Sequence, residues 1–324
     1  MSFNELNNLA YHKPDDRWEI FGIPDFDTYN QNLVIKGLFH PSVPKDVVEA
    51  FLVAEYMMSH AYYHYPLYEE AFSKLLRITE MAIKLRCNEL GIELKNANSR
   101  FNKTLSVLIK ELCLAEPGKD LEHGLDIIRN IRNSMMHPER HSYSGAMCKG
   151  AIQSTVTLLN EIFIPGPIFT PFLNHHQAIK EQLFTYQKGL FVLEFQDNRY
   201  LVESVEVAAA ILADGKWIYY LVACPVTLNI GEQMTKHSYS KPLLYFVTDL
   251  SIGENELIAK EMENSSWIKI NTTNHPDNLV TYQKFIAERE EAEENDRVMY
   301  DHFMKDTIAK KENEFWYMWL WRIE

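Results

Sequence analysis

The chain has 324 residues, a hydrophobic content of 46% and a formal net charge of −13 at pH 7. It is long enough to bury one or two sizeable cores, and no apolar run reaches the roughly 18 residues that a membrane-spanning helix needs. The acidic balance disfavours a general nucleic-acid binder, because contacts to phosphates require a basic surface.

The cysteines and the first residues indicate the compartment. The four cysteines, at positions 87, 113, 148 and 224, show no Cys-x-x-Cys spacing, and the polar start of the chain lacks the pattern of a signal peptide. Scattered thiols are typical of a reducing compartment. We therefore expect a cytoplasmic protein without a disulfide frame, a metal site, a cofactor or a membrane segment.

The charge is distributed unevenly along the chain. Residues 45–165 carry 14 Lys and Arg against 15 Asp and Glu, whereas residues 1–44 carry 3 against 6 and residues 166–324 carry 15 against 24. This distribution disfavours a broad basic face and leaves room for a local basic site in the middle segment.

The first 44 residues contain four prolines and two Asp-rich turns. Such a composition predicts an N-terminal arm that packs onto the domain after it. Within this arm, the stretch NLVIKGLF at 32–39 predicts a short strand.

Apolar residues at helical spacing then predict five helices. The segments are 45–63, 67–91, 100–115, 121–136 and 144–164. Gly91, His137-Pro138 and Pro-Gly-Pro at 165–167 supply stop signals. Residues 45–165 are therefore expected to form a bundle of four to five helices.

After a linker near 164–172 the pattern changes to that of a sheet domain. We expect one helix at 174–186, followed by β-rich runs at 189–196, 200–212, 217–226, 243–250 and 266–270. Asp197-Asn198 and Asp214-Gly215 lie where hairpin turns would fall. A charged helix at 284–311 follows, and the apolar run FWYMWLW at 315–321 is expected to pack into the sheet core or a dimer interface. The fold class is thus α + (α+β), with an antiparallel sheet and flanking helices over 173–324.

The end of the fourth predicted helix carries the most distinctive residues of the chain. In the stretch DIIRNIRNSMMHPERHSY, residues 126–143, Arg129 and Arg132 fall within about 60° of each other on one helix face. Pro138 disfavours the α conformation at His137, which leaves that histidine at the helix end, free to turn toward Arg132.

An arginine and a histidine in this arrangement suit RNA cleavage without a metal. A neutral histidine takes a proton from a ribose 2′-OH or gives one to the leaving oxygen. A permanently charged arginine stabilises the negative charge that develops on the phosphate. The neighbouring Asn133 would hydrogen-bond the ribose or fix the histidine tautomer.

At this point the segment resembles the HEPN superfamily, whose members are helical bundles with an Arg-x(4–6)-His motif late in the bundle. The resemblance covers about residues 45–165. It rests on the sequence RNSMMHP at 132–138, on the order of the helices, and on the long earlier helix AFSKLLRITEMAIKLR at 71–86. The C-terminal region, residues 173–324, resembles no family that we can name.

The resemblance implies a metal-independent endoribonuclease that acts as a homodimer, in a toxin, defence or stress-response setting. Arg132 and His137 would be catalytic, Asn133 would support them, and RNA would be the substrate. The C-terminal domain would act as a sensor for a ligand or a protein regulator.

Four further residues are candidates for supporting or lining the cleft. These residues are Arg129, His141, Glu80 and Lys84. Glu80 and Lys84 stand at i,i+4 and most simply form a salt bridge on one helix, although their place in the bundle also allows a supporting role.

Other interpretations remain open. A basic last turn favours the helix dipole, so the same residues fit a non-catalytic helical protein for dimerisation or partner binding, or a nucleotide or ligand sensor. A second Arg-x(4)-His match, Arg297 to His302, lies in an acidic segment and is taken as a chance occurrence. His60 and His64 have a spacing that can hold a metal, but their aromatic neighbours favour a structural role.

Overall fold

The computed structural model describes residues 12–96, 100–119, 121–135 and 145–320. The chain divides into two compact units, with the boundary between Gly166 and Pro167. Each unit has a hydrophobic core of its own.

The first unit is helical. Its α-helices are α1 (Phe26–Leu33), α2 (Lys45–His60), α3 (Leu67–Glu89), α4 (Leu105–Ala115), α5 (Leu121–Met135) and α6 (Lys149–Phe163), with 3-10 helices at Asp16–Phe21 and Gly145–Cys148. Helices α2 to α6 occur in the five segments whose apolar spacing predicts them. Helix α3 contacts each of the other four, so it forms the centre of the bundle.

The residues before α2 pack onto this bundle. Trp18 is buried and donates from its indole nitrogen to the carbonyl of Ala61 at 3.0 Å. Tyr29 is also buried, and its hydroxyl donates to the carbonyl of Met58 at 2.6 Å. The residues predicted as an arm therefore contribute large aromatic side chains to the first core.

The strand predicted at 32–39 is wrong. Leu33 completes α1, whose first turn is capped by the Asp25 side chain, and residues 34–40 form no strand. Their polar backbone groups bond to a side chain instead of to a partner strand. Asn160 accepts from the His40 N–H at 2.7 Å and donates to the Leu38 carbonyl at 3.0 Å.

The second unit combines a sheet with flanking helices. Its strands are β1 (Phe191–Phe195), β2 (Asn198–Ala213), β3 (Lys216–Pro225), β4 (Leu243–Ile252), β5 (Glu256–Glu261) and β6 (Trp267–Thr272). Its helices are α7 (Gly166–Gln182), α8 (Ile230–Thr235), α9 (Pro276–Glu291) and α10 (Glu294–Trp319), with a 3-10 helix at Phe184–Tyr186. The charged run at 284–311, predicted as one helix, is divided between α9 and α10 by extended residues at 292 and 293.

The sheet is antiparallel, as predicted, but it closes into a six-stranded barrel because β1 also pairs with β6. The sequence did not predict this closure, nor strand β5. Alternate strand residues such as Leu193, Leu221 and Ile270 are fully buried and fill the barrel. The predicted turn at Asp214-Gly215 is present, with positive φ at both residues, whereas the first hairpin turns at 196–197, one residue earlier than predicted.

Helix α10 packs on the outside of the barrel through its aromatic end. Phe315 is buried against Tyr220 of β3 and Phe246 of β4. The Tyr220 hydroxyl donates to the Ile308 carbonyl of α10 at 2.9 Å. The described part of the apolar run at 315–321 thus packs on the sheet.

Across all the described residues, no helix combines the length and the apolar character needed to cross a membrane.

Candidate functional site

Arg132 lies in the last turn of α5, which ends at Met135. The helix forms because Leu121, Leu125 and Ile128 recur at helical spacing and are buried in the bundle. Arg132 is partly exposed, with 31% of its side-chain surface accessible. The helix therefore delivers a cation to the edge of the first core.

The guanidinium of Arg132 binds a carboxylate of the central helix. Arg132 Nη2 lies 2.7 Å from Glu80 Oε2 of α3. The other oxygen, Glu80 Oε1, accepts a hydrogen bond from Lys84 Nζ at 2.6 Å. The i,i+4 pair predicted within α3 is present, and the structure adds Arg132 to it from a different helix. We call these three residues the Glu80 cluster.

Asn133 lies beside the cluster and is exposed. Its side-chain oxygen accepts from Arg132 Nη1 at 3.4 Å, which is a weak contact. Arg132 Nε is buried and has no hydrogen-bond partner in the described part of the chain. Among the described residues, the short bond to Glu80 is therefore the main contact of the guanidinium.

The charges in the cluster favour an ionised carboxylate. Partial burial of Glu80 raises its pKa, but the hydrogen bonds and positive charges of Lys84 and Arg132 outweigh burial. The net result is a lowered pKa for Glu80. At neutral pH the cluster therefore holds two cations and one anion.

The structure does not bring all the predicted site residues together. Arg129 pairs with Asp126, one turn earlier in α5, at 3.2 Å, and also contacts Asn130. His137 and His141 lie outside the described residues. Of the predicted residues, Glu80, Lys84, Arg132 and Asn133 form one connected group.

Tyr65 is a residue that the sequence did not single out. Its hydroxyl accepts from the backbone N–H of Ala146 at 3.2 Å, and Gly145 has a φ of +43°, with the Tyr65 ring so close that a Cβ there would lie 2.0 Å from ring atoms. The backbone N–H of Tyr65 in turn donates to Asp15 at 3.0 Å. Tyr65 thus fixes the residues that directly follow 136–144, and this tertiary contact has no signal in the local sequence.

Of the other candidates, His60 and Arg297 have partners within the protein. The His60 ring stacks on Tyr56 with centroids 4.0 Å apart, and its Nδ1 lies 3.0 Å from the Tyr56 carbonyl. Arg297, of the second Arg-x(4)-His match, donates to the carbonyl of Glu290 at 3.4 Å. Across residues 12–96, 100–119, 121–135 and 145–320, no group of three His, Cys, Asp or Glu side chains is placed to hold a metal ion.

Comparison with known proteins gives no match to a family model and none to a curated protein sequence. The residues of the site and their sequence resemblance to the HEPN superfamily are therefore the guides to a function.

Proposed function

We propose that this protein is a metal-independent endoribonuclease of HEPN type. The observation that carries the proposal is the placement of Arg132 by the bundle. It is partly exposed, on the last turn of α5, and only a few residues before His137 in the sequence.

In this proposal Arg132 and His137 share the chemistry. The histidine exchanges a proton with the ribose 2′-OH or the leaving oxygen, and the arginine stabilises the charge on the phosphate in the transition state. Asn133 hydrogen-bonds the substrate or the histidine. The protein would work as a homodimer, in a toxin, defence or stress-response setting, and the barrel unit would sense a ligand or a protein regulator.

The second candidate is a non-catalytic helical protein for partner binding. The ion pair between Arg132 and Glu80 favours it, because an arginine bound to a carboxylate within the bundle also has a purely structural role. The two candidates differ in whether Arg132 contacts a substrate, and RNA cleavage decides between them.

The experiment compares the parent protein with Arg132→Ala and His137→Ala on a mixed pool of single-stranded RNA in EDTA. We expect the parent to cleave RNA and leave 2′,3′-cyclic phosphate ends, and we expect both variants to lose at least about 100-fold in rate. Arg132→Lys and circular dichroism report whether loss of the guanidinium disturbs the fold.

The second Arg-x(4)-His match supplies a matched control. Arg297→Ala and His302→Ala remove residues with the same spacing from α10, and both variants should cleave like the parent. Absence of cleavage by the parent, or cleavage that survives both Arg132→Ala and His137→Ala, would refute the nuclease and favour the partner-binding protein.

A further inference from the structure

We propose that Lys84 and Arg132 together bind one phosphate group of the RNA backbone, and that Glu80 is the positioning residue that holds both cations. The i,i+4 spacing predicts a salt bridge between Glu80 and Lys84 within one helix. In the structure, Glu80 also binds Arg132 of a second helix. This inference rests on the proposed function and extends it to residues outside the Arg-x(4)-His motif.

The charge of the Glu80 cluster suits an anionic ligand. Its carboxylate binds a different cation on each oxygen, Lys84 at 2.6 Å and Arg132 at 2.7 Å. Two cations on one anion leave a surplus positive charge at the surface of the first unit. A phosphodiester, with its single negative charge, would neutralise that surplus.

The two cations of the Glu80 cluster also have N–H donors that the cluster does not use. Lys84 carries three N–H donors on its ammonium, is 42% exposed, and contacts Glu80 alone in the described part of the chain. Arg132 uses Nη2 for Glu80, while Nη1 makes only the 3.4 Å contact with Asn133 among the residues that the structure describes. Both cations therefore retain N–H groups that can donate hydrogen bonds to the oxygens of an incoming phosphate.

A second cluster in the same unit shows what a structural arrangement of these groups looks like. Glu116 also binds two cations, but it does so in the interior. Arg86 donates to both of its oxygens, at 3.0 and 2.6 Å, and Lys119 Nζ lies 2.9 Å from Oε1 and donates to the Ile162 carbonyl at 3.0 Å.

Exposure separates the two clusters. The side chains of Glu116, Lys119 and Arg86 are 9%, 0% and 14% exposed. Those of Glu80, Arg132 and Lys84 are 22%, 31% and 42% exposed. The cations of the Glu116 cluster thus donate to groups within the protein, whereas the cations of the Glu80 cluster are partly exposed to solvent.

The test measures binding of a single-stranded 2′-O-methyl oligoribonucleotide, which lacks the 2′-OH needed for cleavage, at several salt concentrations in EDTA. Lys84→Met should weaken binding about five- to tenfold and reduce the slope of log K against log [salt] by up to about 0.7, the value for complete loss of the one phosphate contact that Lys84 shares with Arg132. Lys84→Arg should retain the affinity. Excess inorganic phosphate should compete with the oligonucleotide in the parent and much less in Lys84→Met.

The matched control is Lys45→Met. Lys45 is exposed and forms an i,i+4 pair with Glu49 on α2, at 3.3 Å, so it reproduces the helix setting of Lys84 without an arginine on the same carboxylate. Binding by Lys45→Met should equal that of the parent. Equal losses in Lys45→Met and Lys84→Met would show a diffuse charge effect and overturn the site.

Glu80→Gln tests the positioning role. The substitution removes a negative charge, so the oligonucleotide should bind at least as tightly as it binds to the parent. The kcat for RNA cleavage should nevertheless fall about tenfold, because a neutral amide fixes the Arg132 guanidinium less firmly than the carboxylate does. An unchanged kcat, or a loss confined to KM, would overturn the assignment of Glu80.

The failures of the two proposals are distinguishable. If the parent cleaves RNA and Lys84→Met binds and cleaves like it, the phosphate site is wrong and the nuclease stands. If the parent binds the oligonucleotide through Lys84 but cleaves no RNA, the nuclease is wrong and the phosphate site stands. A parent that neither binds nor cleaves overturns both.

Discussion

At the scale of single residues, Glu312 is a carboxyl group whose surroundings raise its pKa. It lies on α10 and accepts a hydrogen bond from Trp316 Nε1 at 3.2 Å. Burial raises its pKa, and the nearby Glu206 acts in the same direction, against the Trp316 bond and the charge of Lys180. The ionised form is therefore disfavoured in the folded barrel unit.

The raised pKa of Glu312 gives a sign for the pH dependence of stability. Since the folded pKa exceeds the unfolded value of 4.5, this group stabilises the fold fully below pH 4.5 and loses that contribution as the pH rises through the folded pKa. Ionisation of Glu312 thus costs stability at the alkaline side of its titration.

We predict that Glu312→Gln raises the unfolding free energy at pH 8 by about 1–2 kcal/mol, because the amide cannot ionise and its oxygen still accepts from Trp316. The gain should shrink as the pH falls toward 4.5, where the parent carboxyl is protonated. Urea unfolding at pH 5 and pH 8 measures both values. Glu314→Gln, at an exposed position on the same helix, should change stability by less than about 0.5 kcal/mol. A destabilised Glu312→Gln at pH 8 would contradict the argument.

At the same scale, the sequence indicated part of the site. The chemistry of Arg132, Glu80 and Lys84 singled out each residue, and i,i+4 spacing predicted the bond within α3. Spacing along one helix carries no information about the facing helix, so the bond between Glu80 and Arg132 had no local signal. The roles of Tyr65 and Asp15 were not predicted for the same reason, because their contacts join distant parts of the chain.

At the scale of elements, the Glu116 cluster joins α3, the α4–α5 connection and the end of α6 through Arg86, Lys119 and the Ile162 carbonyl. Burial lowers the pKa of Lys119, although its bond to Glu116 opposes that shift. Both cations of this cluster thus bind the buried Glu116 carboxylate, and Arg86 has a second, more exposed partner in Glu89.

We predict that Glu116→Ala destabilises the first unit by about 3–5 kcal/mol, since removal of one partner leaves two cations poorly compensated in the interior. The control is Glu89→Ala, which removes the more exposed second carboxylate on Arg86, at 2.9 Å, and should cost less than about 1 kcal/mol. Urea unfolding followed by circular dichroism gives both values. Equal effects of the two substitutions would show that burial does not decide the contribution of these ion pairs.

The elements themselves were predictable to different degrees. Helices α2 to α6 carry a clear 3.6-residue repeat of apolar residues, which is a local property. Strand β5 (ELIAKE) was missed because three of its six residues are charged, and only Leu257 and Ala259 on its inner face belong to the core. Barrel closure depends on pairing between β1 and β6, at opposite ends of the sheet sequence, and no local pattern specifies it.

The break between α9 and α10 also lacked a sequence signal, since neither proline nor glycine occurs at 292–293. At 32–39, by contrast, β-branched and apolar residues predicted a strand that does not form. A strand needs a partner, and here Asn160 of α6 satisfies the backbone instead.

At the scale of the whole molecule, the net charge of −13 limits how RNA can bind. Residues 45–165, which contain the Glu80 cluster, have nearly equal numbers of acidic and basic residues, and most of the negative charge lies after residue 165. A long basic groove is incompatible with this balance. Binding through a few phosphates at one local site is compatible with it.

The salt dependence of binding tests that limit directly. For single strands each neutralised phosphate contributes about −0.7 to the slope of log K against log [salt]. A site formed by Lys84 and Arg132, with one or two further contacts, should give the parent protein a slope of about −1 to −2.

We would measure this slope by fluorescence anisotropy of a labelled 2′-O-methyl oligoribonucleotide between about 50 and 200 mM salt. A general single-strand binder making six or more phosphate contacts would give about −4 or steeper, and such a slope would contradict the local site, because the two cations of the Glu80 cluster cannot supply that many contacts. A slope near zero would show that phosphates contribute nothing to the association, which the charge of the Glu80 cluster does not allow if RNA is its ligand.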